Sequence, residues 1–275
     1  MATIISSIHS IQNARNTQED TTISEWIDNN DFGKILILGV FDGHGGDYVS
    51  TYLQKEFVNI LKKTLDKYNG TKDISGLSLI LKESIKRADS NIPNEFSDHG
   101  STATIALFVH DTLIVANIGD SRIVCIKKSF NKVIPLSVDH IIKNDTEFER
   151  VKDMIYLGRV CGVLAMTRSI GDHSLRPFVS GDPDIFTYKL SPDDIIVLAT
   201  DGLWDTVDNS SISDIIYRVE KRCCEKDCVK PLELACKVIP KVLIKNAVVR
   251  GSKDNISVIM ARYASQSNIY QVHSY

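Results

Sequence analysis

Between residues 101 and 127 the chain reads STATIALFVHDTLIVANIGDSRIVCIK. Thr102 to Val109, Thr112 to Ile118 and Arg122 to Ile126 are rich in β-branched residues and separated by turn chemistry, which predicts three consecutive strands in an antiparallel meander. Upstream, Lys34 to Phe41 is a short β-branched run, apolar on both alternations, as expected of a strand buried on two faces. After Gly45-Gly46 the period changes. Val49, Leu53, Phe57, Ile60, Leu61 and Leu65 recur at three- and four-residue steps, and Leu77, Ile80, Leu81, Ile85 and Ala88 repeat the pattern, so a pair of amphipathic helices joined near Asn69-Gly70 is expected. Downstream, Asp145 to Tyr156 reads as a shorter helical patch, and Arg159 to Thr167 and Asp194 to Thr200 as strands. Ser211 to Arg222 and Val229 to Val249 read as helices, the first with Ser211 or Ser213 at its N-cap, and Ile256 to Arg262 as the closing strand.

Strands come in blocks and helices in blocks, which is not the alternation of a doubly wound parallel sheet. The pattern points to an α+β fold, antiparallel sheets sandwiched by helices. Residues 1–263 are expected to form one domain and 264–275 a short polar tail. At 275 residues a folded chain removes roughly 75% of its unfolded surface from water, so a large core needs neither disulfides nor structural metal. With 32 Lys+Arg against 35 Asp+Glu the formal charge is −3, which leaves no overall electrostatic footprint for nucleic acid or an anionic membrane. The longest apolar run, Ile35 to Phe41, is far short of the ~20 residues that span a bilayer. Residues Met1 to His9 carry no basic leader, so the cytoplasm, and also the nucleus, is the expected compartment. The six cysteines then read as reduced thiols; Cys223, Cys224, Cys228 and Cys236 cluster late in the chain at a spacing that matches no common zinc site.

Two acids follow strands directly. Asp42 ends the first buried run in Phe41-Asp42-Gly43-His44-Gly45-Gly46, and Asp201 ends another in Ala199-Thr200-Asp201-Gly202-Leu203-Trp204-Asp205. A third, Asp254, precedes the closing strand in Gly251-Ser252-Lys253-Asp254-Asn255. A carboxylate at the end of a buried strand is held rigidly, and the glycine after it lets the backbone turn and leaves its carbonyl approachable. If these strands are neighbours, three carboxylates converge, and either their pKa values rise or cations bind. Oxygen-only ligands select hard ions, Mg²⁺ or Mn²⁺ before Zn²⁺. Taken singly, each Asp-Gly is also an ordinary turn dipeptide, and Gly43 to Gly46 lacks the spaced Gly-Lys-Ser/Thr of a phosphate-binding loop.

Taken in order, the motifs Arg15-Asn16-Thr17-Gln18-Glu19-Asp20, Phe41 to Gly46, Gly100-Ser101-Thr102-Ala103, Ala116 to Arg122, Val138-Asp139-His140, Leu164 to Asp172, Asp201 to Asp205 and Gly251 to Asn255 resemble the metal-dependent Ser/Thr protein phosphatases of the 2C type, the PPM family. The resemblance covers nearly the whole chain. It implies a β-sandwich of two antiparallel sheets flanked by helices, and an enzyme that hydrolyses phosphoserine and phosphothreonine in phosphoprotein substrates by direct in-line attack of a hydroxide bridging two Mg²⁺ or Mn²⁺ ions. By the same resemblance Asp42 bridges the two ions and the Gly43 carbonyl binds the second. Asp201 and Asp254 complete the first, and Glu19 and Asp20 hold the ions' water ligands. Asp139, with Asp205, matches acids near a weaker third ion in some members. Arg15 matches the guanidinium that grips the substrate phosphate and His44 the proposed general acid, and monomer is the family's usual state.

The runs Gly119 to Arg122 and Thr167 to Asp172 are read as connections that orient loops, and Trp204 as a packing residue beside Asp201. Four departures from the family pattern stand out: Gln18 replaces a frequent Met, Ile141-Ile142 replaces Lys-Pro after Asp139-His140, a Gly-Gly hairpin is shortened to Met154 to Arg159, and Asp172 to Pro183 is compact. Two other functions compete with catalysis on proteins: a silent pseudophosphatase used as a binding module, and a phosphatase of a small phosphorylated metabolite. The first is expected to have lost a metal acid, yet Asp42, Asp201, Asp254 and Arg15 are all present.

Overall fold

The computed structural model describes residues 2–127, 132–225 and 230–265. In chain order its elements are β1 (Ala2–Ile11), β2 (Thr21–Asn29), β3 (Gly33–Phe41), β4 (Gly43–His44), α1 (Tyr48–Lys67), α2 (Ile74–Ser90), β5 (Gly100–Ser101), β6 (Ala103–Val109), β7 (Thr112–Ile118), β8 (Arg122–Lys127) and β9 (Lys132–Pro135). There follow α3 (Asp145–Val151), β10 (Ile155–Tyr156), β11 (Arg159–Val160), β12 (Ile170–Gly171), β13 (Asp184–Lys189), β14 (Ile195–Ala199), α4 (Asp201–Trp204), α5 (Asn209–Glu225), α6 (Pro231–Val249) and β15 (Ile256–Ser265).

Two five-stranded antiparallel sheets, β1-β15-β14-β8-β9 and β13-β7-β6-β3-β2, stack face to face, with α1 and α2 on one outer side and α5 and α6 on the other. This is the α+β sandwich expected from the blocks, and the period-two split of each central strand explains it. In β3, Ile35, Ile37 and Phe41 face α1 and α2, while Leu36, Leu38 and Val40 face the other sheet. In β15, Ile256, Val258 and Met260 face α5 and α6, while Ile259, Ala261 and Tyr263 point inward. Both helix pairs were legible because each lays an apolar stripe on its sheet. Among the described residues no helix is long and apolar enough to cross a membrane.

Five expectations need correction. The meander is broken: β6 and β7 form a hairpin, but β8 pairs with β14 and β9 in the opposite sheet. The chain changes sheets at Gly119, whose φ is +94° and where a Cβ would lie 2.6 Å from Thr102 Cγ2. The patch at 145–156 is helical only to Val151, passing through a short turn into β10, which pairs with β11 across Leu157-Gly158, both at positive φ. The strand expected over Arg159 to Thr167 accordingly stops at Val160, before Cys161 and Gly162 at positive φ. Asp208, not Ser211 or Ser213, caps α5: its Oδ1 accepts the Ser211 N–H at 2.7 Å. Ala264 and Ser265, expected in the tail, pair with Thr3 and Ala2 at the end of β15; residues 266–275 lie outside the described residues.

Cys223 and Cys236 are buried among the apolar residues beneath α5 and α6, and burial pushes the Cys236 thiol up to about 11. Cys224 is exposed on α5; Cys228 lies outside the described residues.

Candidate active site

Strand register alone assembles the acids. Thr21 pairs with Phe41, which sets Glu19 and Asp20 beside Asp42 and Gly43. Ala199 pairs with Val258 on one side and Arg122 on the other, so Asp201, Asp254 and Asp120 leave their strands at one edge of one sheet. Ile11 pairs with Ile256, which lays the Arg15 loop over Asp254. Two glycines permit the close approach. A Cβ on Gly43 would sit 2.6 Å from the Glu19 carbonyl oxygen and 2.7 Å from Ser50 Oγ, and one on Gly202 would sit 2.0 Å from the Asn255 carbonyl oxygen.

Side chains then lock the frame. The Asp42 N–H donates to Thr102 Oγ1 at 3.0 Å, the Thr102 N–H donates back to the Asp42 carbonyl at 2.9 Å, and Thr102 Oγ1 meets Ser121 Oγ at 2.7 Å. Asn255 is the staple between the chain's two ends: its Nδ2 donates to the carbonyls of Gln12 and Thr17, and its Oδ1 accepts the Glu19 N–H, all at 2.9 Å. Arg15 donates from Nη2 to Asp254 Oδ2 at 2.6 Å while most of its side chain stays exposed. The guanidinium therefore stands at the rim, beside the charges of Asp201 and Asp42.

So many carboxylates in one place are electrostatically costly. Burial first, then the charges of Asp20, Asp201 and Asp120, holds Asp42 well above the usual carboxylate range. Burial raises Asp20 to about 7, against hydrogen bonds from Ser257 and Thr200 and with the charges of Asp201 and Asp254. Asp201 rises to about 6 through burial and the charges of Asp205 and Asp254. The Asp42 and Asp201 carboxyls also interact directly, which disfavours charge on both at once.

Among the described residues no three acidic, histidine or cysteine side chains are already gathered at ligating distances. The reason is visible in the pairings: Asp254 is drawn to Arg15, Asp139 to Arg122, and Asp42 and Asp201 to each other. The residues nevertheless suit divalent cations. The donors are oxygens throughout, and Asp20 Oδ1 and Asp120 Oδ1 are buried without a hydrogen-bond partner, the condition a cation or its water relieves.

Most of the predicted residues, then, come together here. Asp139 is the exception. Both its oxygens are taken by Arg122, at 3.0 Å from Nε and 2.5 Å from Nη2, and Arg122 is itself fixed by Asn209 Oδ1 and by the Trp204 ring. A carboxylate so committed is not open to an ion unless Arg122 releases it. Asp120, read from sequence as part of a turn, is the acid that stands free: burial and the charges of Asp201, Asp139 and Asp205 raise it to about 7. Asn255 and Thr102 were likewise missed as organisers of the site. Trp204 is a packing residue as expected, its Nε1 donating to the Ala199 carbonyl at 2.8 Å.

His44 sits at the other side of Asp42, its Nε2 2.7 Å from Asp172 Oδ2. The compact segment carrying Asp172 is braced from α2, where Asp89 accepts the Gly171 N–H at 2.7 Å and the Arg176 guanidinium at 3.0 Å. Beyond it, Glu147 of α3 is buried, but hydrogen bonds from Arg168, Arg150 and Thr167 hold its carboxyl down at about 2. The region that departs most from the family pattern is thus tied down by ion pairs.

The family described as Protein phosphatase 2C matches residues 5–256. A rice (Oryza sativa subsp. japonica) protein described as "Probable protein phosphatase 2C member 13, mitochondrial" is 35% identical over 241 residues, which are 83% of this chain and 60% of that protein. The chain spans about three fifths of the length of the curated relatives it matches. Among solved structures, a C. elegans sex determining protein superposes with a TM-score of 0.82 at 23% identity, covering 99% of this chain and 68% of that one. The catalytic domain of the serine threonine protein phosphatase PstP, in complex with 2 manganese ions, gives 0.65 at 18% identity, covering 96% and 100%. At such identities the structural likeness speaks to the fold.

Proposed function

Because the chain belongs to the protein phosphatase 2C family, we propose that it hydrolyses phosphoserine and phosphothreonine in proteins with the help of two Mg²⁺ or Mn²⁺ ions. The observation that carries this reading is the convergence of Asp42, Asp201 and Asp254 with the buried Asp20 under one exposed guanidinium, Arg15. Asp42, the Gly43 carbonyl, Asp201 and Asp254 would hold the ions, with Glu19 and Asp20 holding their water; Asp120 replaces Asp139 as the acid free to support a further ion. When bound, such ions acidify a water near neutral pH and offset the charge that builds on phosphorus.

The chain's own residues supply the rest. Arg15 presents a planar fork that two phosphate oxygens can accept from together, and substrate binding would draw it from Asp254. A water oxygen bonds to phosphorus as the bond to the serine or threonine oxygen breaks. His44 gives that departing oxygen a proton, leaving inorganic phosphate and an alcohol. No covalent enzyme intermediate is needed, and none of the cysteines takes part. Phosphoproteins are the proposed partners of a monomer in the cytoplasm or nucleus; the mitochondrial label belongs to the rice relative.

The test is turnover of p-nitrophenyl phosphate and of a phosphothreonine peptide with Mn²⁺, with Mg²⁺ and with EDTA. Metal-dependent release of phosphate from the peptide is expected. No turnover by well-folded, metal-loaded protein would overturn the enzymatic reading in favour of a binding module, and faster hydrolysis of a small phosphorylated metabolite would move the substrate class. Arg15→Ala is expected to raise KM for the phosphopeptide roughly 10- to 100-fold, the worth of ~1.5–3 kcal/mol of charge-assisted hydrogen bonds, with a smaller change in kcat. An unchanged KM would remove Arg15 from the phosphate site.

A further inference from the structure

The three-stranded sheet β12-β5-β4 has only two residues in each strand, yet it brings together two side chains 128 positions apart. His44 pairs across β4 and β5 with Gly100, and Gly100 pairs across β5 and β12 with Gly171, the neighbour of Asp172. The middle position is empty of side chain for a reason. A Cβ on Gly100 would lie 2.0 Å from Asp172 Oδ2 and 2.3 Å from His44 Nε2, in the space where the two groups meet.

Asp172 is held in a conformation few residues adopt. Its φ and ψ are 47° and 39°, left-handed backbone that Asp tolerates better than most, and its N–H donates to the His99 carbonyl at 2.9 Å. The residue is 2% exposed. Its Oδ2 receives both His44 Nε2 at 2.7 Å and Ser169 Oγ at 2.5 Å. His44 Nδ1, in contrast, is buried with no hydrogen-bond partner among the described residues. An imidazole anchored through one nitrogen to a fixed carboxylate has its tautomer and ring orientation set, and its other nitrogen is the one left for a water or a substrate oxygen.

We propose that Asp172 is a positioning residue for His44, and that Gly100 is glycine so that the two can meet. The inference rests on the reading of His44 as proton donor to the leaving alkoxide. In a His–Asp pair the carboxylate does not take the proton; it orients the ring. Losing it should therefore matter in proportion to how much the leaving group needs a proton. Serine and threonine alkoxides need one, whereas p-nitrophenolate leaves readily without.

For the Mg²⁺-loaded enzyme, Asp172→Ala is expected to lower kcat on a phosphothreonine peptide roughly 10- to 100-fold. KM should hold, and the loss on p-nitrophenyl phosphate should be several-fold smaller. Gly100→Ala should give the same selective loss while leaving Asp172 in place, and Asp172→Asn, which keeps an acceptor, should fall between. In a His44→Ala background Asp172→Ala should cost no more than about twofold. An undiminished loss in that background, or equal losses on both substrates, would overturn the proposal. A second readout does not depend on turnover. With ¹⁵N-histidine, the wild type should show a hydrogen-bonded ring N–H, assigned to His44 by its loss in His44→Ala, that also disappears in Asp172→Ala and Gly100→Ala. Its persistence in Asp172→Ala would refute the positioning role. If the wild type turns over no substrate, the phosphatase reading fails while this resonance still decides the pairing.

Discussion

Asp42→Asn is expected to lower kcat on a phosphothreonine peptide by at least ~10³-fold while raising the melting temperature of the metal-free protein. The two effects share one cause. Asp42 is desolvated and faces Asp20, Asp201 and Asp120, so its charged form is held off in the absence of a cation. Asn keeps the shape, can still donate to Asp201, and leaves the backbone bonds to Thr102 untouched, so the fold has no reason to suffer. Removing a charge that the site must otherwise neutralise stabilises the empty protein. The same change removes an acid that would hold the ions, and bound ions would supply several kcal/mol of transition-state stabilisation, with ~1.4 kcal/mol a factor of ten in rate. For a domain above about 150 residues, ~1 kcal/mol moves Tm by about 2–4 °C. Calorimetry in EDTA and steady-state kinetics with saturating Mn²⁺ check both halves. Retention of activity within tenfold would displace Asp42 from the metal site, and a Tm lower by several degrees would make its carboxyl a structural group.

What could be read from the residues were features written in a single segment. Lys34 to Phe41 is apolar on both alternations because it lies between helices and a second sheet, and burial on two faces leaves that mark without any alignment. The stripes of α1 and α2 are similar in kind. The edges were harder. β2 buries Ile23 and Ile27 but exposes Glu25 and Trp26, and β13 buries none of its residues, so neither stands out from loop composition. The third run, Arg122 to Ile126, is a strand as expected, but nothing within it says which sheet it joins. That choice is made by Gly119, whose positive φ carries the chain across.

The same distinction divides the site. Asp42, Asp201 and Asp254 announce themselves by following or preceding apolar runs. Asp120 does not, because Gly-Asp-Ser is ordinary turn chemistry, and its place among the acids exists only once Arg122 pairs with Ala199. Asp139 shows the converse: its motif resembles one that holds an acid near a third ion in some family members, but the commitment of both oxygens to Arg122 is a matter of tertiary geometry. Asn255 and Gly100 are small parts of quoted motifs whose reasons lie far away in sequence, at Gln12 and Thr17 for one and at Asp172 for the other.

Without divalent cations the protein is expected to lose stability as pH rises from 5 to 8, by on the order of 5–10 °C in Tm, and cations should abolish most of that slope. Burial among like charges raises Asp20 and Asp120 to about 7 and Asp201 to about 6, and holds Asp42 well above the usual carboxylate range as well. In the unfolded chain the same groups titrate near 4. Their folded pKa values are the higher, so between about 4 and 8 the unfolded state binds fewer protons and stability falls with pH. The stability these groups contribute is complete below the unfolded value and lost through the folded ones. Glu147 acts in a separate window, since its carboxyl sits at about 2 and its contribution is lost only in acid. His140 opposes the trend. It is buried between the Gly119 N–H and Asp184, and burial together with Arg168 lowers its pKa, so its neutral form favours folding as pH rises past its unfolded value. One histidine is outweighed by four carboxyls, and metal should separate the two: Mn²⁺ bound at the acids would replace their protons and leave His140 alone. At 1,000-fold excess over Kd a cation adds ~4 kcal/mol, most visibly at pH 8, where the acids are otherwise charged and unpaired. Thermal melts across pH 5 to 8 in EDTA and in Mn²⁺ measure this directly. A flat EDTA series would show that the carboxyls are not electrostatically frustrated, and an Mn²⁺ series parallel to it would show that the ions, wherever they bind, do not bind to these acids.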